Sequence, residues 1–194
     1  MKIVIIDYGA GNVKSVQFAL ERLGFKAVCT NDATLIKEAD KVIFPGVGEA
    51  QSAMKEIKKF GLDKLIPNLK QPVLGICLGM QLMCRSSEEN DTHCLGIFPV
   101  DVIKFQVDYK IPHVGWNQIF DLKSHLMDQV TENAYVYYVH SYFVPDNAFS
   151  IASTDYGVLF SGAIKKDNFY ACQFHPEKSG DAGEQILKNF IKAI

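Results

Sequence analysis

Two short stretches of this 194-residue chain carry side chains that could act together on a carbonyl group. The first is Gly75-Ile76-Cys77-Leu78-Gly79, which follows an apolar run at residues 72–76 and precedes another at 80–84. Strand, sharp turn and helix in that order are the setting of a nucleophile elbow, where the reactive residue takes strained backbone angles and flanking glycines let strand and helix approach. A thiol so placed lies at a helix N-terminus, where free N–H groups and the macrodipole favour thiolate. The N–H of Leu78 would point at a developing oxyanion. The second stretch is His175-Pro176-Glu177. Residues two apart on an extended segment project to the same side, and Pro176 biases His175 towards that geometry. His175 and Glu177 thus offer the base that a thiol needs and the carboxylate that orients the base.

A third stretch, Pro45-Gly46-Val47-Gly48, ends a short apolar run. Glycines there let backbone N–H groups face a ligand, so Gly48 or Val47 could supply a second oxyanion donor. Each stretch also has a plain reading. A lone cysteine is usually a small buried hydrophobe; H-P-E suits a surface turn, and residues 45–48 an ordinary β-turn. No G-x-x-x-x-G-K-[ST] or GxGxxG is present, so nucleotide binding is not supported. His93 and His125 lie in polar, loop-like stretches and read as bystanders, whereas His113 and His140 are left unassigned.

The elements that must position these residues alternate in type. Ile3–Ile6 and residues 73–76 read as short buried strands, and Ala27–Thr30 and residues 41–44 as further short strands. Val13, Val16, Leu20 and Leu23 recur at steps of three and four, the stripe of an amphipathic helix that Gly24 stops. A second helix is expected over residues 49–60. Strands separated by helices imply βαβ units and a mainly parallel sheet covered on both faces, with reactive groups at the carboxyl ends of its strands. The second half changes character. Residues 100–105, 135–139, 150–153, 159–164 and 170–174 are β-branched or aromatic, and are expected to be antiparallel additions to that sheet. A last helix over 183–194 closes the chain. In the aromatic run, Tyr135, Tyr137 and Val139 share one strand face and Val136 and Tyr138 the other. One face packs inward; the other is open to a partner or to further aromatic packing.

Composition agrees with one globular α/β unit over residues 1–194. Apolar residues make up 48% and charged residues 22%, which is enough to build a core. A net charge of −2 gives no electrostatic reason to invoke nucleic acid or an anionic membrane. No apolar run is long enough to span a bilayer, and no secretory signal is expected. Five cysteines without CxxC spacing suit a reducing, cytoplasmic setting better than disulfides or a metal site.

Taken together and in order, the motifs resemble those of the class I, triad-type glutamine amidotransferases. The resemblance extends over Asp7-Tyr8-Gly9-Ala10-Gly11-Asn12, Pro45-Gly46-Val47-Gly48, Gly75-Ile76-Cys77-Leu78-Gly79-Met80-Gln81, Pro112-His113-Val114-Gly115-Trp116-Asn117, His140-Ser141-Tyr142, and Gln173-Phe174-His175-Pro176-Glu177-Lys178-Ser179-Gly180. Within that class the pattern is similar to the glutaminase subunits of imidazole glycerol phosphate synthases of histidine biosynthesis. The resemblance implies a flavodoxin-like fold and hydrolysis of L-glutamine to glutamate and ammonia without a cofactor. It also implies a heterodimer with a (β/α)₈-barrel cyclase that consumes the ammonia. By that likeness Cys77 attacks the side-chain amide, His175 moves protons and Glu177 orients His175. Gly46, Val47, Gly48 and Leu78 form the oxyanion site, and Gln81, Ser141 and Tyr142 hold the amino-acid end of glutamine. Asn12 and Lys178 fall in the family's interface motifs and face the cyclase, while Tyr135 is a candidate contact from the aromatic run alone. The competing readings are a paralogue that aminates a surface-polysaccharide sugar, a free-standing cysteine hydrolase and a non-catalytic binding module.

Overall fold

The computed structural model describes residues 1–9 and 12–194. In the first half strands and helices alternate as expected: β1 (Ile3–Ile6), α1 (Val13–Arg22), β2 (Ala27–Thr30), α2 (Ala33–Lys37), β3 (Lys41–Gly46), α3 (Ala50–Lys59), α4 (Leu62–Leu65), β4 (Val73–Cys77) and α5 (Leu78–Met83). The second half is mainly strand: β5 (Ser86–Ser87), β6 (Thr92–His93), β7 (Asp101–Lys104), β8 (His113–Ile119), β9 (Ala134–His140), β10 (Tyr142–Phe143), β11 (Ser150–Asp155), β12 (Leu159–Lys166) and β13 (Phe169–Cys172). Helix α6 (Gly180–Lys192) ends it.

Local chemistry explains the boundaries. The side chain of Asp32 accepts from the N–H groups of Thr34 and Leu35 and starts α2, and Glu49 does the same for Gln51 and Ser52 at α3. Gly24, with φ of 82°, lies just past the end of α1. β1 is apolar at every position and buried on both faces, the expected composition of a central parallel strand.

The described residues form a seven-stranded sheet in the order β11-β12-β13-β4-β3-β1-β2. Helices cover both faces. Val4, Ile6, Val42 and Phe44 point to one side and pack with Ile36 of α2, Met54 and Ile57 of α3 and Met80 of α5. Ile3, Ile5, Ile43 and Leu74 point to the other and pack with Val16 and Leu20 of α1 and Ile186 and Phe190 of α6. Burying side chains of this size is worth about 1.5–3 kcal/mol each, and alternate residues of one strand serve both layers.

The expectation that the five later strands are antiparallel additions to this sheet needs correction. Only β11 and β12 fit it. β13 runs parallel to β4, with Phe169 opposite Val73 and Cys172 opposite Ile76. β7 pairs with β5 and β10 in a small separate sheet, and β9 pairs with β8 in a two-stranded ribbon. The direction of β13 matters most. A parallel strand beside β4 delivers residue 175 to the same sheet end as Cys77, whereas an antiparallel one would carry it to the far end.

Candidate active site

Cys77 stands where β4 gives way to α5, with φ of 53° and ψ of −110°. A left-handed backbone costs a non-glycine residue on the order of 1–3 kcal/mol and persists only where the surroundings enforce it. They do so here. β3 and β4 are in register to their ends, Gly46 opposite Cys77, and a side chain on Gly79 would sit 1.9 Å from the Phe44 carbonyl oxygen. Gly79 is therefore what lets α5 lie against β3 and hold the turn. Leu78 opens α5, so its N–H is among those with no acceptor inside the helix. The Cys77 sulfur lies 3.9 Å from the Val139 carbonyl oxygen and accepts from Gln173 Nε2 at 3.8 Å.

His175 follows β13 and is buried, as is Glu177 in the short 3₁₀ turn after it. His175 Nδ1 lies 2.8 Å from Glu177 Oε1. The segment is tied to β9: the His175 N–H donates to the Tyr137 carbonyl, while Ser179 Oγ donates to the His175 carbonyl and accepts from the Tyr137 N–H. His175 Nε2 is buried, lacks a well-aligned partner, and lies beside the Cys77 sulfur. Burial alone would lower the proton affinity of this imidazole. Hydrogen bonding and charge from Cys77 and Glu177 outweigh burial and push the pKa of His175 up to about 10.

Cys77 and His175 open onto a cavity of about 280 Å³ lined also by Val47, Gly48, Leu78, Gln81, Glu89, Pro112, Val139, His140, Ser141 and Tyr142. The expected Val47, Gly48, Leu78, Gln81, Ser141 and Tyr142 are thus brought to one place with the thiol. Gly46 is buried at the end of β3. Gln81 donates from Nε2 to the Tyr142 carbonyl at 2.9 Å and to Gln173 Oε1 at 3.0 Å, which leaves its own oxygen as the group it offers a ligand. Glu89 is the lining residue that the sequence does not single out; Pro112 and His140 stand in the motifs above without an assigned role, and Val139 lies in the aromatic run. Glu89 is the one carboxylate among the lining residues; it accepts from the Ala50 N–H at 2.8 Å, and burial raises its pKa. Its position after β5, in a 3₁₀ turn interrupted by left-handed Asn90, carries no local signal.

Of the expected partner residues, Lys178 and Tyr135 are exposed and Asn12 is half-buried. Asn12 precedes α1 and Lys178 follows β13, with the Lys178 ammonium 5.8 Å from the Tyr137 ring centre. Ala10 and Gly11 of the N-terminal motif lie outside the described residues. Of the two faces of β9, Val136 and Tyr138 are buried, while Tyr135 is 56% exposed, as on β8 are Trp116 at 55%, opposite Tyr137, and Val114 at 54%, opposite Val139. No helix among the described residues is long and apolar enough to cross a membrane.

A model of the family "Glutamine amidotransferase class-I" matches residues 4–194. The chain belongs to the class I glutamine amidotransferases. Among its relatives is the imidazole glycerol phosphate synthase subunit HisH of Bacteroides fragilis (strain YCH46), 57% identical over 99% of this chain and 100% of the relative. The protein of the same name from Colwellia psychrerythraea is 46% identical over 98% of this chain and 92% of the relative. Among solved structures of the amidotransferase fold, a putative GMP synthase component from Thermoplasma acidophilum covers 98% of this chain and 92% of its own, with TM-score 0.74 and 21% identity. PurLQS from Thermotoga maritima covers 99% and 98%, with TM-score 0.73 and 16% identity. At those identities the solved structures speak to the fold alone. They agree with the α/β, mainly parallel architecture expected from the sequence.

Proposed function

We infer that residues 1–194 act as one unit, the glutaminase subunit of an imidazole glycerol phosphate synthase in histidine biosynthesis. The observation that carries the reading is the open Nε2 of a buried His175, fixed through Nδ1 by Glu177, beside a cysteine on strained backbone. That arrangement suits acyl transfer through a thioester.

The Cys77 sulfur attacks the side-chain carbonyl carbon of L-glutamine. The oxyanion receives the N–H of Leu78 and an N–H from Val47 or Gly48. His175, which already carries the proton shared with Cys77, delivers it to the departing nitrogen, which leaves as ammonia. Water, deprotonated by His175, then attacks the γ-glutamyl thioester, and glutamate and the free thiol are released. Glu177 holds the His175 ring through Nδ1 so that Nε2 faces the sulfur, and stabilises its charged form. Glu89, the lining carboxylate, faces the α-ammonium of glutamine, while Gln81, Ser141 and Tyr142 enclose its amino-acid end. No cofactor is needed at any step.

Ammonia is useful only if delivered before water protonates and dilutes it. The partner is a (β/α)₈-barrel cyclase that docks over this end of the sheet, against Asn12, Tyr135 and Lys178, in the cytoplasm. Hydrolysis without the partner wastes glutamine, so the oxyanion site is completed only in the complex: the 47–48 peptide turns its N–H inward on docking. Losing one such donor costs about 10²–10³ in rate, enough to keep the free subunit nearly silent. The test is Cys77→Ala in complex with the cyclase. Glutamine-dependent synthesis is abolished, while synthesis from added ammonium salts continues at the wild-type rate. Glutamine-dependent synthesis that survives the substitution would overturn the reading.

A further inference from the structure

At the cavity wall, two buried histidines from adjacent strands are bonded to each other. His140, at the end of β9, places Nδ1 2.8 Å from the Tyr142 carbonyl oxygen. A carbonyl can only accept, so Nδ1 of His140 carries the proton, and in the neutral ring Nε2 is a lone pair. His113 Nδ1 lies 3.0 Å from that Nε2 and must be the donor. His113 Nε2 is then the acceptor left over, and Asn117 Nδ2 faces it at 3.4 Å while also donating to the Asp155 carbonyl at 2.8 Å. One tautomer of each ring satisfies the whole set; any other pairs donor with donor or lone pair with lone pair.

Both rings are held in the neutral form and in place. Burial lowers the pKa of His113 to about 4 and that of His140 to about 3, the latter aided by the neighbouring histidines. The His113 ring stacks on Tyr156 at 3.9 Å and on Tyr138 at 4.9 Å between centroids, and Phe105 lies 5.2 Å from His140. The relay ends on the same carbonyl that accepts from Gln81, itself bonded to Gln173 beside the Cys77 sulfur. The Tyr142 carbonyl is thus pinned from two sides, and the residues before it, His140 and Ser141, line the cavity.

We propose that His113 and His140 are positioning residues for the glutaminase reaction, a neutral imidazole pair that fixes the Tyr142 carbonyl and so sets the distance between the substrate wall at 140–142 and Cys77. The proposal rests on the reading that glutamine occupies this cavity. It assigns no proton transfer to either ring. His140 acts through the Tyr142 carbonyl and His113 acts through His140, by deciding which nitrogen of that ring bears the proton.

The test begins with the tautomers. In the full-length chain labelled with ¹⁵N-histidine, long-range nitrogen–proton correlations at pH 7 should show two neutral rings protonated on Nδ1, each lost in the matching His113→Asn or His140→Asn variant. A proton on Nε2 of His140 overturns the relay. Kinetics with the partner then test what the relay is for. His113→Leu, which removes the donor, should lower kcat/KM for glutamine about tenfold while leaving ammonium-dependent synthesis unchanged, since small misplacements of a substrate wall are costly. His113→Asn, which restores an N–H near the Nδ1 position, should recover activity to within about twofold of wild type by the same argument. If His113→Leu only lowers thermal stability, with wild-type kinetics per Cys77 reactive towards a glutamine-like electrophile, the pair merely packs and the proposal fails. It fails equally if the asparagine does not recover activity. A wild-type complex inert towards glutamine would instead defeat the underlying functional reading, a result the tautomer measurement does not affect.

Discussion

The two sides of the Cys77 sulfur are built in opposite ways. On one side the elbow has no slack: every residue of α5 is buried, Gly79 is pressed on the Phe44 carbonyl, and Cys77 is held at φ of 53°. On the other side, Val47 is 38% exposed, and Gly48, at φ of 98°, has open space where a side chain would be. Cys77, the proposed nucleophile, is therefore held tightly, while the peptide proposed to complete its oxyanion site has open space around it. The difference teaches where control can reside. A partner that adjusted the thiol would have to repack a core; a partner that adjusted residues 47–48 need only press on a surface loop.

The fixed side should show the largest effects, and they should be independent of the partner. Glu177→Gln leaves His175 without its carboxylate and should lower glutamine turnover on the order of 10⁴-fold, alone and in the complex alike. Steady-state ammonia release checks this, and a loss confined to the complex would break the contrast.

The free side should instead show effects that appear only with the partner. Val47→Pro removes the Val47 N–H; it should cost about 10²–10³ in partner-stimulated turnover and little in the basal rate. An unchanged stimulation ratio would take Val47 out of the oxyanion site. Smaller again is the outer face of the β8–β9 ribbon. Trp116→Ala or Tyr135→Ala should weaken cyclase binding about tenfold, as exposed aromatics at a contact commonly do, with basal glutaminase activity intact. Titration calorimetry reads that directly, and unaltered affinity would return the ribbon to simple packing.

The smallest expected effect concerns pH. The folded-state pKa of His175, near 10, stands above its ordinary value of 6.5. A group raised on folding adds stability that is full below the unfolded value and is lost as pH climbs through the folded one. The urea midpoint of the wild type should thus fall between pH 7 and 10 by more than that of His175→Asn. Parallel curves would show that the His175 contacts add no stability.

Much of the fixed side was legible in the residues themselves. Ile3–Ile6 and Ala27–Thr30 were read to the residue, because an all-apolar or β-branched run between turn signals has few alternatives. Cys77, His175 and Glu177 were legible because their motifs are local. What escaped depends on long-range pairing. β8 reads His-Val-Gly-Trp-Asn-Gln-Ile, and its glycine and amides blur the strand pattern until β9 is laid beside it. The direction of β13 follows from how the chain crosses over, and residues 170–174 carry no mark of it. Glu89 reaches the cavity from a turn, and nothing in its neighbours announces that. Ser179, which ties His175 to β9, could have been suspected from its place in the C-terminal motif.

The most direct measurement is an acid quench of the complex during turnover with L-glutamine, followed by mass mapping of its peptides. A γ-glutamyl thioester should be found on Cys77, and it should disappear in the Cys77→Ser variant. Rapid glutamine hydrolysis with no adduct on Cys77, and the same hydrolysis in a Cys77→Ala chain, would contradict the account.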